Sequence, residues 1–593
     1  MTGWGVRCYP RRMRQTSLIG FSIRRLAILA ILAVAALPLC AAAPPDPSAS
    51  APPPPPRTGR FVITGAYGAF MNGRFAAQQG DQDMAAEALL RAQIADPRNV
   101  ELIQPAFIAS LMAGRPEAVR LARLLPDIQA AQLLLVSVDI KAGNWDSAES
   151  RIRALPRQGL TQILQPMLLA WVQQGGGRTD AALATLRPLV EGQRMRGIYA
   201  LHAALINDLA GRTQEAARLY RIAQADGGAG SLRMAQVIAS WQARQGQLAE
   251  AGQTLRSLAD GGQEMPVAVS ALLAGANVRA VPRAADGVAE VLLGLAGSLG
   301  QQETADYALL LLRLALDLRP DFTTARLLLA EVLESAKRYD AAAQVLAAVP
   351  PADPLIGVVR LRRASLAERL DRTDDALRDL EQLARDYPDS PQPYATQADI
   401  LRQKSRFTEA VSAYDKAIAR ISAPKRGAWP LFYARGIAYD RAHDWRKSER
   451  DLQRALDLAP DQPYILNYLG YSWADQGINL TKARALIEKA MAMKPNDGAI
   501  TDSLGWVVFR QGDVGGAIKL LERAAELQPE DATINSHLGD AYWSAGRKRE
   551  AQFQWRRALL FNPEPDEKVR LEAKLQDEPV VPGQTTPSER SVQ

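Results

Sequence analysis

Apolar and small residues recur along most of the chain with a period of 34 residues. The clearest set is a Leu-Gly step, an Ala, a large apolar residue, a second Ala and a closing Pro. It occurs as Leu504, Gly505, Ala517, Leu521, Ala524 and Pro529, and again 34 residues later as Leu538, Gly539, Ala551, Trp555, Ala558 and Pro563. Residues at i, i+4 and i+7 share one face of an α-helix. Each set therefore predicts two amphipathic helices joined by a turn.

Weaker copies extend this period over nearly the whole chain. In the N-terminal half, Ala148, Ala182 and Ala216 follow one another at 34-residue steps. We count about fourteen units of this length. The most degenerate copy lies near 99–128, and the period breaks at 266–288.

The residue types in each copy suit a helix-turn-helix unit. Small residues where two helices cross allow close approach, and proline ends each unit. Gly512 and Gly546 predict a left-handed turn between the two helices of their units. The period and the spacing are those of the tetratricopeptide repeat (TPR). The sequence therefore predicts an all-α fold, a TPR α-solenoid whose stacked units wind into a right-handed superhelix.

The period also suggests boundaries. We assign 61–265 to a degenerate N-terminal TPR array, 266–288 to an irregular break and 289–565 to a C-terminal TPR array. Residues 566–593 follow the last proline. Val569, Leu571 and Leu575 form one apolar stripe in this segment, which predicts a capping helix followed by a disordered tail.

The first 43 residues have the pattern of an export signal. They contain six arginines and no acidic residue, and an apolar run from Leu26 to Leu37 follows the charges. This run is shorter than the roughly 20 residues that a transmembrane helix needs. We predict a signal peptide over 1–43 that begins at Met1 or at Met13, and a protein located in the periplasm.

Two alternatives remain for Cys40, at the end of the apolar run. It is either lipidated, which would tether the protein to the outer membrane, or removed by simple signal cleavage after Ala42. The segment 44–60 that follows is rich in proline. Such a composition favours extended polyproline II, so we predict a semi-rigid linker.

Charge argues against a nucleic-acid partner. The chain has 71 Lys+Arg and 64 Asp+Glu, and loss of the six arginines of 1–43 leaves 71 − 6 = 65 against 64. Affinity for phosphates needs an excess of Lys and Arg, which the mature chain lacks. Contact with a membrane is expected only through a lipid anchor at Cys40.

No combination of residues indicates catalysis. Two cysteines and three scattered histidines cannot form a cysteine-rich or HExxH zinc site. Ser503 lacks the GxSxG pattern of a nucleophile elbow, and His537 has no partner triad in the sequence. No stretch outside the array is long enough for a catalytic domain. We predict that the protein is not an enzyme and binds no cofactor and no metal.

The first helices of the last repeats carry aromatic, acidic and amide residues on one predicted face. Superhelical curvature would make this face concave, and its composition is typical of protein-recognition surfaces. We predict that it binds proteins or peptides; the alternative is that its aromatic residues only pack between repeats. The predicted binding residues are Tyr433, Tyr464, Asn467, Tyr471, Asp502, Trp506, Arg510, Asp540 and Trp543, with Asp475, Phe509 and Ser536 on the same face.

Four blocks of the C-terminal array resemble proteobacterial envelope TPR proteins. They are NYLGYSWAD at 467–475, DSLGW at 502–506, HLGDAYW at 537–543 and QWRRAL at 554–559. That group includes an outer-membrane TPR lipoprotein that acts as the adaptor of a carboxyl-terminal processing protease and delivers cell-wall hydrolases to it. The resemblance implies partners in the cell envelope, including such a protease and its substrates.

Two hypotheses for function follow. The first is a non-enzymatic periplasmic scaffold that binds proteins through its concave surface and delivers substrates to an envelope protease. The second is a structural TPR component of an envelope export or polysaccharide-secretion assembly. An enzyme with attached repeats is the least supported class, because no room remains for a catalytic domain.

Overall fold

The computed structural model describes residues 65–157, 159–192, 195–226, 231–259, 265–299, 305–421, 424 and 426–576. Within these ranges the chain forms thirty α-helices and no β-strand. The predicted signal peptide with Cys40, the linker at 44–60 and the tail after Gln576 lie outside the described residues. None of the described helices is both long enough and apolar enough to span a membrane.

The first twelve helices form six consecutive pairs, in which the odd-numbered helix is the first helix and the even-numbered helix the second. They are α1 Ala66–Gln78, α2 Gln82–Ala95, α3 Val100–Met112, α4 Glu117–Ala122, α5 Gln129–Lys141, α6 Trp145–Ala154, α7 Thr161–Gly175, α8 Thr179–Glu191, α9 Arg196–Leu209, α10 Thr213–Asp226, α11 Leu232–Arg244 and α12 Leu248–Ala259. The periodic alanines Ala148, Ala182 and Ala216 each open the buried stripe of a second helix and are fully buried. Small side chains at these points let the paired helices approach closely.

The regular pairing is interrupted after α12. A 3₁₀ turn at Met265–Ala268 leads into the short α13 Val269–Ala274, and then come α14 Ala284–Ser298 and α15 Ala305–Leu318. Helix α14 packs on α7 and α9, while α15 packs on α3 and α5. These partners are all first helices. Four of the six first helices of the N-terminal pairs are therefore covered by two helices from later in the same chain.

Paired helices resume after α15 and continue to α29, and a single helix, α30, follows them. They are α16 Thr323–Ser335, α17 Tyr339–Ala347, α18 Ile356–Arg369, α19 Thr373–Asp386, α20 Gln392–Gln403, α21 Phe407–Ile418, α22 Trp429–Arg441, α23 Trp445–Leu458, α24 Pro463–Gln476, α25 Leu480–Met493, α26 Gly498–Arg510, α27 Val514–Leu527, α28 Ala532–Ser544, α29 Lys548–Leu560 and α30 Pro565–Gln576. The described part of the chain divides into two compact units, an N-terminal unit that ends at Trp445 and a C-terminal unit that begins at Arg446.

Close helix crossings explain the glycines of the C-terminal unit. A Cβ atom at Gly505 would lie 2.7 Å from Leu521, and one at Gly539 would lie 2.4 Å from the Trp555 ring. The turn residue Gly512 has φ +94°, in the left-handed region that favours glycine. The predicted roles of these residues, and the predicted all-α TPR solenoid, are confirmed.

The first helices of the C-terminal unit lie side by side. Helix α24 packs on α26, and α26 packs on α28, while α25, α27 and α29 form the opposite layer. We call the surface of α24, α26 and α28 that faces away from the second helices the first-helix face. Among the described residues of this unit, no helix packs extensively across α24 and α26 as α14 packs across α7.

Candidate functional site

A cluster of aromatic and titratable side chains joins the three first helices of the C-terminal unit. His537 on α28 lies with its Nδ1 3.0 Å from both carboxylate oxygens of Asp502 on α26. The Trp506 ring stacks on His537 with ring centroids 4.0 Å apart and also stacks on Phe509 at 5.3 Å. Tyr471 of α24 lies 6.1 Å from the His537 ring. Side chains from successive repeats thus form one contact network.

The ion pair in this cluster is almost completely buried. The side chains of His537 and Asp502 are 5% and 6% exposed. Burial lowers the pKa of His537, but the adjacent Asp502 carboxylate has the opposite effect and prevails, with help from Asp540 and Glu567, so the pKa lies above its usual value. Asp502 therefore shifts the protonation equilibrium of His537 toward its charged form.

Among the described residues, three buried polar atoms of α24 and α26 have no hydrogen-bond partner. They are Asn467 Oδ1, Asp475 Oδ1 and Trp506 Nε1. Arg510 approaches the same place, but its Nη1 donates to the main-chain oxygen of Asp475 at 2.6 Å. A buried polar atom left unpaired costs about 1–3 kcal/mol, so a ligand that supplied these bonds would gain from doing so.

Burial raises the pKa of Asp475 to about 6. His537, Arg510 and Arg570 oppose this rise through their charges, and the indole N–H of Trp506 opposes it by facing the carboxyl group. That N–H nevertheless does not form a hydrogen bond with the carboxylate. Desolvation therefore dominates at Asp475. No basic side chain of the described residues forms an ion pair with its carboxylate.

The structure brings most of the predicted binding residues together on α24, α26 and α28, with different degrees of exposure. Asn467, Tyr471, Asp502 and Trp506 are buried, whereas Tyr464, Arg510, Asp540 and Trp543 are partly exposed. Tyr433 lies on α22 in the N-terminal unit and is also partly exposed. Their role in binding remains a prediction.

Three of the partly exposed residues interact within the C-terminal unit itself. Asp540 accepts hydrogen bonds from Trp555 Nε1 at 3.0 Å and from Lys574 Nζ of α30 at 2.6 Å. A lysine ammonium lies over the ring of Trp543 at 3.4 Å, and another lies over the ring of Tyr464 at 5.6 Å. Helix α30 thus lies against α28, the last of the first helices in the chain.

Sequence reasoning missed the partner of His537. No triad is visible along the chain, but Asp502 stands one repeat earlier, at 35 residues, and the stacking of repeats brings the two together. That spacing was the available signal. The structure places no group of three or more His, Cys, Asp or Glu side chains so as to hold a metal ion, as far as the described residues show.

The N-terminal unit contains a related aromatic pair. Trp171 on α7 donates its Nε1–H to Nδ1 of His202 on α9 at 3.0 Å, across 31 residues. Trp506 and His537 are also 31 residues apart. Trp171 is covered by α14, where a Cβ atom at Gly287 would lie 2.2 Å from the indole ring. Burial lowers the pKa of His202 to about 3, so this histidine is neutral.

Known family models match the chain in its second half. Models described as tetratricopeptide repeat match residues 301–364, 361–425 and 433–498, and one described as TPR repeat matches residues 505–546.

Individual relatives match shorter stretches. The chain is 30% identical over 163 residues to a TPR repeat-containing protein of Pseudomonas aeruginosa. This alignment covers 27% of each chain. It is 26% identical over 179 residues to tetratricopeptide repeat protein 13 of Homo sapiens, which covers 29% of this chain and 20% of the human protein. The matches thus span about a quarter or less of these relatives.

Among solved structures, one alignment of low similarity extends over most of the chain. The hetero-tetramer Cut9-Hcn1 of the APC/C aligns at 14% identity and a TM-score of 0.36 over 86% of this chain and 96% of that one. The repeated helix pairs and the family matches together show that the chain contains tetratricopeptide repeats within residues 301–546.

Proposed function

We propose that this protein is a non-enzymatic scaffold of the cell envelope that binds other proteins on the first-helix face of its C-terminal unit. Stacked TPR units form extended binding surfaces. The observation that carries the proposal is the set of buried, unpaired polar atoms on this face, Asn467 Oδ1, Asp475 Oδ1 and Trp506 Nε1. A bound protein segment would complete their hydrogen bonds.

The contrast with the N-terminal unit supports the choice of this face. There, α14 and α15 already pack on the first helices α3, α5, α7 and α9. Their side chains make specific bonds, such as the one that Tyr307 Oη accepts from Gln129 at 3.1 Å. A partner would have to displace the chain's own helices in order to bind at that site.

We also propose a periplasmic location and an adaptor role. The export pattern of residues 1–43 supports the location, with lipidation of Cys40 as the means of attachment to the outer membrane. The resemblance of the blocks between 467 and 559 to an envelope adaptor supports delivery of substrates to a carboxyl-terminal processing protease. Mass spectrometry of the mature N-terminus tests the first point, since a diacylated Cys40 and an unmodified terminus near Ala43 differ in mass.

The binding face is tested by affinity capture from envelope extract with the full chain as bait. We expect Trp506→Ala combined with Trp543→Ala to reduce the captured partners roughly tenfold, because aromatic anchors dominate such interfaces. Phe553→Ala is the matched control, since it removes a 61% exposed aromatic ring from the second helix α29.

Melting curves must show that the double variant remains folded. If it does not, Phe509→Ala replaces it, because Phe509 is partly exposed. An unchanged set of captured proteins with a folded variant would exclude this face as the binding site.

The adaptor role is tested separately with purified components. The carboxyl-terminal processing protease of the same organism is mixed with the full chain, and complex formation is followed by analytical ultracentrifugation. We expect a complex at micromolar concentration and faster cleavage of the captured proteins. Absence of a complex would refute the adaptor role and leave the scaffold role standing.

A further inference from the structure

Two arginine–aspartate arrangements occupy equivalent places in the two units. In each unit an Asp is the penultimate residue of a first helix, Asp208 in α9 and Asp475 in α24. In each unit an Arg is the last residue of the next first helix, Arg244 in α11 and Arg510 in α26. The repeat geometry therefore places an arginine beside an aspartate in both units.

The N-terminal arrangement is a complete ion pair. Arg244 donates to both carboxylate oxygens of Asp208, with Nη1 3.0 Å from Oδ1. A second cation comes from outside the helix pairs, since Arg279 Nη2 lies 3.7 Å from Asp208 Oδ1. Arg279 belongs to the connector between α13 and α14, which leads the chain back across the first helices. A crossing segment thus adds a basic side chain to the aspartate.

The C-terminal arrangement differs at one bond. Arg510 Nη1 donates to the main-chain oxygen of Asp475 instead of to its carboxylate. The guanidinium also lies 5.8 Å from the Trp506 ring centroid. Asp475 Oδ1 is left buried and unpaired, at a helix C-terminus whose dipole favours a cation.

We propose that a lysine or arginine side chain of the bound protein enters beside Asp475 and takes the place that Arg279 has at Asp208. This inference rests on the proposed function, because it names the chemistry of the partner of the same face. Asp475 is the counter-ion, and Trp506 forms an adjacent aromatic wall. Asn467, two turns earlier on α24, offers its unpaired Oδ1 to a second donor of the same segment.

The protonation state of Asp475 couples this contact to pH. The charged groups that act on it are His537 of α28, Arg510 of α26 and Arg570 of α30, and all three favour the ionised form. Burial outweighs them and keeps the pKa at about 6. Because the basic side chain binds the carboxylate, its affinity falls by roughly tenfold for each pH unit below 6.

The test uses the full chain labelled with 5-fluorotryptophan and observed by ¹⁹F NMR. Trp506→Phe assigns the Trp506 signal by its disappearance. The probes are Nα-acetyl-lysine amide and Nα-acetyl-arginine amide, and the uncharged probe is Nα-acetyl-norleucine amide. We expect saturable shifts of the Trp506 signal with the two basic probes at pH 7.5, and affinity that is roughly tenfold weaker at pH 5.

Asp475→Asn is the decisive variant, because it keeps the shape and removes the charge. We expect it to weaken binding of the basic probes by roughly tenfold or more. Glu488→Gln is the matched control, since it neutralises a carboxylate that is 48% exposed on α25 and pairs with Arg484. Equal shifts with the norleucine probe, or equal affinity in Asp475→Asn, would overturn the inference.

The outcomes separate this inference from the function on which it rests. If Trp506→Ala with Trp543→Ala loses the captured proteins while Asp475→Asn keeps them, the face binds proteins and the basic side chain is refuted. If the basic probes bind at Asp475 but the double variant keeps its partners, the cation site stands and the proposed binding face is refuted.

Discussion

The two units contain a Trp and a His at the same spacing, but the pKa values of the two histidines are shifted in opposite directions. Trp171 donates a hydrogen bond to a neutral His202 and is covered by α14. Trp506 stacks on His537, whose Nδ1 is engaged by Asp502, and its own N–H is unpaired. Among the described residues of the N-terminal unit, no carboxylate pairs with His202, and burial lowers its pKa.

This difference shows how one repeat scaffold supports two roles. In the N-terminal pair, a helix of the same chain covers Trp171, and the indole N–H of Trp171 is used within the pair. In the C-terminal pair, the unpaired polar atoms nearby cost stability and retain bonding capacity for a ligand.

The largest effect is expected at His202 in acid. Unfolded histidine binds a proton below about pH 6.5, whereas folded His202 does so only near pH 3. Stability from this residue is therefore complete above pH 6.5 and is lost as the pH falls, by about 3 kcal/mol at pH 4. Urea titrations of the wild type and of His202→Gln at pH 7 and pH 4 measure the difference.

Glutamine keeps an acceptor for the Trp171 N–H but does not titrate, so the variant should lose much less stability on acidification. For His537 the dependence of stability on pH has the opposite sign. Its pKa is raised, so its pair contributes stability below the unfolded value near 6.5, and this contribution is lost as the pH rises through the folded pKa. Equal pH dependence in His202→Gln and the wild type would refute the assignment of His202 as a buried neutral residue.

The second effect concerns the helix that covers Trp171. Gly287→Ala should destabilise the N-terminal unit by about 2 kcal/mol, because its Cβ would lie 2.2 Å from the indole ring. Gly294→Ala on the same helix is the control, since its Cβ meets only Ile198 Cδ1 at 3.6 Å. We expect that control to be neutral or slightly stabilising. Thermal unfolding of both variants measures the difference in stability. Equal melting temperatures would mean that α14 does not pack closely against Trp171.

The third effect compares the two tryptophans directly. Trp171→Phe removes a donor that His202 uses and leaves a buried acceptor unpaired, whereas Trp506→Phe removes an N–H that has no partner. Both variants lose similar ring area, so their difference in unfolding free energy should be about 1.5 kcal/mol in favour of Trp506→Phe. Chemical denaturation gives both values. A larger loss for Trp506→Phe would show that its N–H is bonded in solution.

The repeat fold was predictable because its rules are local. Ala517, Ala551 and Ala558 are fully buried, and Gly539 lies under Trp555, as the 34-residue spacing requires. Each of these contacts joins residues within one helix pair. A period in the sequence therefore contains the information that determines them.

The role of α14 was not predictable in the same way. Its apolar residues resemble the first helix of another unit, yet Gly287 contacts Trp171, 116 positions earlier in the sequence (287 − 171). Glu290 likewise accepts from Arg233 Nε at 2.9 Å. Such contacts depend on how the connector after α13 turns the chain back, and no local spacing encodes that. The unpaired carboxylate of Asp475 could not be predicted for a related reason. The neighbouring arginine can donate either to the main-chain oxygen or to the side-chain oxygen of this residue, and the sequence does not show which one it uses.

The smallest effect is expected at Asp475, and its sign is a gain. Its folded pKa of about 6 exceeds the unfolded value of 3.8, so the ionised carboxylate destabilises the folded state above that range. Asp475→Asn should therefore stabilise the C-terminal unit at pH 7 by about 1 kcal/mol, once partial exposure of the group is allowed for. The gain should vanish below about pH 4, where the wild-type group is protonated in both states. Urea titrations at pH 7 and pH 4 measure it, with Glu488→Gln as the surface control. A variant that is more stable and yet fails to bind the basic probes would show that this carboxylate is kept for binding, whereas a destabilised variant would show that Asp475 is already paired in the free protein.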